Sequence, residues 1–354
     1  MADRRRMVVK IGSQVLCEPG GGLARAVLDE LVDQAAALRS EGWDVLLVTS
    51  GAVAAGSGVS GAARLDNPVT RRQVLAAVGQ VRLMETYQTA CRRHGLDMAQ
   101  VLVSKADFQS RAHYLNMRAC IEGLLAAGPL PIANENDVVS VTELMFTDND
   151  ELAGLLAGML DADLLILLSS VAGVFAADGE PIAEWDDTRH NADELVRAGT
   201  SQLGRGGMHS KIGVARRAAG LGTTVAIADG RAPRVVTRLA AGEALGTRFP
   251  SRGSATPTRR WLASMEGHAL GAVRVNEGAE QALVDRGRLA SLLPVGVEAV
   301  EGEFQRGDVI EVRGRDGRTL GCGRAQYDHA EARAACGQRD RKPLIHYDYL
   351  YLVD

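Results

Sequence analysis

DVLLVTSGA, residues 44–52, is a continuous apolar strand that runs directly into a Ser-Gly turn. A strand with no polar alternation has to be covered on both faces, and that is how strands of a parallel sheet between helices read. Upstream, MVVKIG (7–12) is a second short apolar strand ending at glycine, followed by the loop CEPGGG (17–22). Between Ala24 and Ser40, the residues Val27, Leu28, Leu31, Val32, Ala35 and Leu38 recur at helical spacing. Strand, helix and buried strand together make a βαβ unit. The alternation continues downstream, with helices expected over 70–94, 107–127, 150–160, 207–219 and 232–240. Strands are expected over 98–103, 164–169 and 224–229, and 138–146 reads as a strand or hairpin beside the sheet. The fold class is therefore α/β with a mainly parallel sheet, in a domain over 1–250.

PSRGSATPTRRW (250–261) is rich in Pro, Ser, Thr and Arg and opens a linker expected over 251–270. Beyond it the texture changes. GAVRVNEG, VEAVEGEF, GDVIEVRGRDGRTLGCGRA and HYDYLYLV are short strands separated by glycine turns, and RDGRTL carries an Asp-Gly hairpin signal. Residues 271–354 are expected to form a small β-barrel-like domain.

The 354 residues are 46% hydrophobic and 24% charged, with a net charge of -4. Those values describe a soluble globular chain with no general affinity for nucleic acid or anionic membranes. No apolar run approaches the roughly 20 residues that span a bilayer. The opening ADRRRMVVKIG resembles a basic signal-peptide head, but Lys10 interrupts its apolar run, so a cytoplasmic location is expected. Five cysteines without C-x-x-C spacing read as free thiols.

Of 40 basic residues only four are lysine: Lys10, Lys105, Lys211 and Lys342. A lysine kept inside a motif therefore suggests a need for a compact ammonium. Lys10-Ile11-Gly12-Ser13, Thr49-Ser50-Gly51-Ala52 and Gly204-Arg205-Gly206-Gly207 are glycine turns at strand ends or before a helix, and Lys211 follows the third. Such turns let backbone N–H groups approach an anion. GSGVSG (56–61) matches the dinucleotide fingerprint, but its strand has already ended and no acid stands about 20 residues on. NENDVVSVTELMFTDND (134–150) sets Asn134, Glu135, Asn136 and Asp137 against Asp148, Asn149 and Asp150. Taken alone, the two clusters fit turns, metal ligation or substrate recognition.

VVKIGSQVL, LLVTSGAVAAG, QVLAAVGQVRLME, IANENDVVS, FTDNDELA, GRGGMHSKI and SLLPVGVEAVEGEFQRGDVIEV occur in the order found in the glutamate 5-kinases. The chain resembles that family over almost its whole length. The resemblance implies the amino acid kinase fold, a three-layer α/β sandwich, followed by a PUA domain. It implies ATP- and Mg2+-dependent phosphorylation of the side-chain carboxylate of L-glutamate, the first step of proline biosynthesis. By position, Lys10 and Lys211 would contact the transferring phosphoryl group, with Gly12, Ser13 and Gly51 supplying backbone donors. Ser50, Gly51, Asn134, Asp137 and Asn149 would hold glutamate, while Asp148 and Asp150 would orient the lysines and the Mg-bound phosphates. The nucleotide would lie against Lys10, Gly12, Ser13, Ser169, Ser170 and the segment Arg205, Gly206, Gly207, Met208, His209, Ser210 and Lys211. A homo-oligomer and feedback inhibition by proline are also implied. The alternatives are an acyl-phosphate-forming kinase for another small acidic amino acid, or a non-catalytic regulatory paralogue.

The sequence departs from the family on the nucleotide side. The family usually has Thr-Asp, Asp-Gly, Tyr and Asp-Pro here; this chain has Ser169-Ser170, Ala172-Gly173, Phe175 and Asp178-Gly179. Arg205 and His209 stand where small hydroxyl residues are usual. Altered base preference or weaker nucleotide affinity is the expectation. PUA domains elsewhere bind RNA, but residues 271–354 hold 12 basic against 14 acidic residues, so a structural or regulatory role is expected.

Overall fold

The computed structural model describes residues 4–18, 20, 22–139, 146, 148–176, 178–192, 207–253, 255–263, 265, 269–284 and 290–352. Arg205, Gly206 and most of the expected strand or hairpin at 138–146 lie outside these residues. The chain divides into two compact units. The first holds 1–107 and 112–254, and the second holds 108–111 and 255–354.

The first unit begins with β1 (Arg6–Ile11), α1 (Ser13–Leu16), α2 (Arg25–Ser40), β2 (Asp44–Val48), α3 (Ala52–Ala55) and α4 (Pro68–Arg92). It continues with β3 (Met98–Val103), α5 (Lys105–Gln109), α6 (Arg111–Ala127), β4 (Leu130–Glu135), α7 (Asn149–Met159) and β5 (Leu164–Ser169). Then come α8 (Met208–Gly220), β6 (Thr224–Asp229), α9 (Val235–Ala240) and β7 (Thr247–Phe249). The sheet order is β3-β4-β2-β1-β5-β6-β7, parallel throughout except for the antiparallel edge strand β7. β1 lies between β2 and β5, with Lys10 opposite Val48 on one side and Leu167 on the other. The chain turns to one side of β1 for β2, β4 and β3 and returns to the other for β5 and β6. Ligands of open α/β sheets bind at such a reversal, beyond the carboxyl ends of the strands.

The apolar runs named from sequence are buried: Val8, Val9 and Ile11 on β1, Val45 to Val48 on β2, and Leu165 to Leu168 on β5. Two helix boundaries moved for local reasons. The expected 107–127 helix is two helices, and the first starts early, at Lys105, because Asp107 accepts from the Ser104 N–H and Oγ–H, both at 2.7 Å. α9 starts at Val235 and not at residue 232, because Arg234 has φ 52 in the left-handed region.

The first glycine of GSGVSG serves packing. A Cβ on Gly56 would stand 1.9 Å from the Leu75 carbonyl oxygen, and one on Gly79 would stand 1.7 Å from that of Ala52. The two glycines let α3 and α4 touch backbone to backbone.

In the second unit, α10 (Pro257–Ala263), β8 (Gly271–Val275), α11 (Glu277–Val284), β9 (Val297–Gly302), β10 (Val309–Arg313), β11 (Thr319–Arg324), α12 (His329–Ala335) and β12 (Leu350–Leu352) follow in order. The sheet order is β12-β11-β10-β8-β9, with β8 and β10 parallel and the other pairs antiparallel. Its core includes Val273, Phe304, Ile310, Val312 and Ile345. The stretch expected as linker contains α10, where Trp261 and Leu262 are buried and the Leu262 carbonyl accepts from Cys322 Sγ at 3.0 Å.

Gly79→Ala is expected to lower the unfolding free energy by about 2 kcal/mol, the range for overpacking a tight contact. Urea unfolding checks this, and an unchanged midpoint would contradict the close approach of α3 and α4.

Candidate active site

The carboxyl ends of β1, β2, β4 and β5 deliver Lys10, Thr49-Ser50, Asn134-Glu135 and Ser169 to one edge of the sheet. α7 begins at that edge. Its N-cap is Asp148, whose Oδ1 accepts from the N–H groups of Asp150 and Glu151 at 2.9 and 3.0 Å. The cap satisfies two of the helix's free donors and turns Asp150 inward.

Asp150 is fully buried and shared between two lysines. Lys10 Nζ lies 2.6 Å from Oδ1, and Lys211 Nζ, from the first turn of α8, donates to Oδ2 at 2.6 Å. Burial opposes ionisation of this carboxyl, but the two ammonium groups outweigh it and hold the group below the usual aspartate range. Asp148 behaves oppositely. Burial and the neighbouring Asp150 push it up, while Ser210 Oγ, donating to Oδ2 at 2.7 Å, partly offsets them. A third lysine reaches the same helix turn: Lys105 Nζ lies 3.3 Å from Glu151. Three of the four lysines thus converge on the start of α7, a concentration that the scarcity of lysine had suggested for two.

Beside the lysines lies a chain of amides. Asn149 Nδ2 donates to Thr49 O at 2.6 Å, to Ser50 Oγ at 3.0 Å and to Asn134 Oδ1 at 3.0 Å. Gly51, with φ 99, makes the left-handed turn that lifts Ser50 to the sheet edge. Asp137 stands apart from this cluster, ion-paired to Arg72 Nη2 at 3.1 Å. Glu135, which reads as a turn residue, is buried and accepts from Phe146 N–H at 3.1 Å.

The nucleotide-side residues are more dispersed. Gly12 N–H donates to Leu168 O at 3.3 Å, so that amide belongs to the strand pair, and α1 begins at Ser13. Ser170 Oγ donates to Gln14 Oε1 at 2.6 Å, and Arg231 Nη2 donates to the Gln14 carbonyl at 2.9 Å. Gly207 caps α8, which carries Met208, His209, Ser210 and Lys211 in its first turn.

Three residues of α4 went unassigned from sequence: Arg72, Gln73 and Gln80 hold Asp137, the Val138 carbonyl and Asn134. Residues 73 and 80 are one heptad apart, so polar groups on one face of a long helix were the available signal. Among the described residues, no group of three or more His, Cys, Asp or Glu is arranged to hold a metal, and no helix is long and apolar enough to cross a membrane.

A buried carboxylate bridging two ammonium groups, at the strand ends of a parallel sheet and beside two helix starts, leaves a net positive charge where an anion can approach. The amino acid kinase family profile matches residues 5–229, and the PUA domain profile matches 271–346. The chain belongs to the amino acid kinase family. Its relatives include the glutamate 5-kinase of Chlorobaculum tepidum, 48% identical over 352 residues that cover 99% of this chain and 98% of that one. The glutamate 5-kinase of Bacteroides thetaiotaomicron is 41% identical, covering 98% of both chains. That of Trichlorobacter lovleyi is 39% identical, covering 98% of this chain and 93% of its own. The resemblance read from the ordered motifs is borne out at full length.

Asp150→Asn should leave two buried ammonium groups without their shared counter-ion and lower stability by about 3–5 kcal/mol. Guanidinium unfolding at neutral pH measures it, and a loss below 1 kcal/mol would mean the lysines find other partners. The linkage signs of the two acids are opposite. Asp150, depressed in the folded state, contributes stability above the ordinary aspartate range that is lost as pH falls through its folded value. Asp148, raised, imposes no penalty in acid and its full penalty above its folded value. Ser210→Ala removes the hydrogen bond that favours the Asp148 carboxylate and should move its titration to still higher pH. Carbon-13 NMR of the Asp148 carboxyl reads this; a midpoint unchanged by Ser210→Ala would show that the hydroxyl does not stabilise the anion.

Proposed function

We propose that the chain transfers the terminal phosphoryl group of ATP to the side-chain carboxylate of L-glutamate, giving γ-glutamyl phosphate and ADP, the first step of proline biosynthesis. The observation that carries the reading is the Lys10–Asp150–Lys211 bridge beside the Asn134–Asn149–Ser50 cluster. A glutamate carboxylate oxygen attacks the terminal phosphorus. The new P–O bond forms as the bond to the ADP oxygen breaks, and the electron pair leaves with ADP. The nucleophile is already ionised, so the step needs no general base and catalysis reduces to alignment and charge neutralisation. No histidine or cysteine is required, which agrees with a cluster made only of Lys, Asp, Asn and Ser.

Lys10 and Lys211 would neutralise the oxygens of the group in transit, and Asp150 holds both ammonium groups in place. Both of its oxygens face lysines, so it serves as a positioning residue. Mg2+ would arrive on the nucleotide's phosphates and supply further neutralisation; Asp148 is the acid that fits beside it, since Mg2+ typically takes one or two carboxylates plus phosphate and water. Ser50, Gly51, Asn134 and Asn149 would hold the amino acid, with Ser50 and Gly51 toward its carboxylates and Asn134 behind Asn149. Asp137 would take the ammonium through Oδ2, since Arg72 holds Oδ1. Ser13, Ser169, Ser170 and the start of α8 would meet the nucleotide, with base preference changed by the Ser169-Ser170 segment. A cytoplasmic homo-oligomer inhibited by proline, with a PUA domain in a structural or regulatory role, completes the reading.

Incubation with Mg-ATP, Mg-GTP or Mg-CTP, hydroxylamine and a panel of acidic amino acids tests it. Glutamate hydroxamate should form in step with nucleoside diphosphate, and Lys10→Ala or Lys211→Ala should lower the rate by about 10³-fold. Product from another acidic amino acid alone would reassign the substrate. No product at all, with both variants matching wild type, would leave a binding or regulatory protein.

A further inference from the structure

The amide groups of Gln80, Asn134 and Asn149 form one directional chain whose orientation is set by backbone groups at two points. Glu135 N–H can only donate, and Asn134 Oδ1 receives it at 2.9 Å. Thr49 O can only accept, and Asn149 Nδ2 reaches it at 2.6 Å. These anchors decide every amide between them, because reversing any one would set donor against donor or acceptor against acceptor. Asn134 must present Oδ1 to Asn149 Nδ2 at 3.0 Å and its own Nδ2 to Gln80 Oε1 at 2.8 Å. Asn149 is then left with Oδ1, an amide acceptor suited to an ammonium group, as its remaining polar atom.

Gln80 is the closing member. Its Nε2 is buried and has no hydrogen-bond partner. A buried amide donor left unmet costs free energy, so the residue is kept for what its oxygen does. That oxygen receives the Asn134 amide. Asn134 itself is 2% exposed, so no water replaces the acceptor if it is lost.

We propose that Gln80 is a positioning residue for the amino-acid substrate: with the amide directions set by the two backbone anchors, it holds Asn134 in place against Asn149, whose Oδ1 then meets the substrate ammonium beside Asp137. The proposal rests on the glutamate reading above and names the helix that tunes that subsite. Gln80 touches neither lysine nor nucleotide, so its loss weakens amino-acid binding and spares the phosphoryl-transfer apparatus.

The test uses the full chain and two variants. Gln80→Met keeps length and removes the acceptor; Gln80→Glu keeps an acceptor and removes the orphan donor. Gln80→Met should raise KM for glutamate about five- to tenfold, the loss of one hydrogen bond, with KM for ATP and kcat little changed. Gln80→Glu should recover most of that loss. In ligand-free protein the Asn149 side-chain NH2 resonance, assigned with Asn149→Asp, should move in Gln80→Met and return in Gln80→Glu. An unmoved resonance in Gln80→Met overturns the proposal, as does an equal rise in KM for glutamate and ATP, which marks a packing role. Wild type that makes no glutamate hydroxamate, with the resonance still moving, refutes the substrate and supports the relay.

Discussion

A single carboxylate between two ammonium groups is the constraint around which the first unit is built. Asp150 is completely buried, and its charge survives only because Lys10 and Lys211 each lie 2.6 Å from one of its oxygens. The trio carries one net positive charge in a desolvated setting, an arrangement that favours an incoming anion. The three residues come from β1, α7 and α8, separated by as many as 201 positions between Lys10 and Lys211. They meet only because β1 is central, α7 starts over its carboxyl end, and α8 leads into β6 on the far side of β5. Removing Asp150 would leave two buried ammonium groups without their shared counter-ion, so the site and the stability of this edge depend on the same contacts.

Charge organises one half of the site and amide geometry the other. On the amino-acid side no buried charge is needed at Asn134 or Asn149; orientation comes from two backbone atoms of β4 and the β2 turn. Side-chain amides read backward or forward with almost equal shape, so only fixed backbone donors and acceptors can make such a chain directional. α4 supports it from outside through Gln80, and through Arg72 and Gln73 on the segment that follows β4. The close approach of α3 and α4 at Gly56 and Gly79 sets where that helix lies. The first glycine of a motif that resembles a nucleotide fingerprint thus has a packing reason.

Much of this was legible before any coordinates. The strands at 164–169 and 224–229 match to the residue, because buried parallel strands are short apolar runs with polar ends, and 98–103 matches too although it is a half-exposed edge strand. The helix at 107–127 and the linker at 251–270 were less legible for a common reason. Asp107 binding back to Ser104, and Trp261 and Leu262 burying themselves in the second unit, are contacts that periodicity does not register. The two polar clusters of 134–150 were visible as clusters, yet their chemistry was open among turns, metal and substrate.

The sequence by itself determined the α/β alternation, the change of texture beyond Pro250, the family, and the importance of Lys10, Lys211 and the two acid-amide clusters. Each is carried by residue type and order along the chain. Tertiary structure alone decided that Asp150 takes both lysines while Asp148 caps a helix and binds Ser210, although the two acids stand two positions apart. It also decided that Asn134 joins Asn149 while Asp137 turns to Arg72, and that Gln80 completes the amide chain. The physical reason is that side chains two or three positions apart at the end of a strand or helix point in different directions. What each one meets there is set by elements distant in sequence.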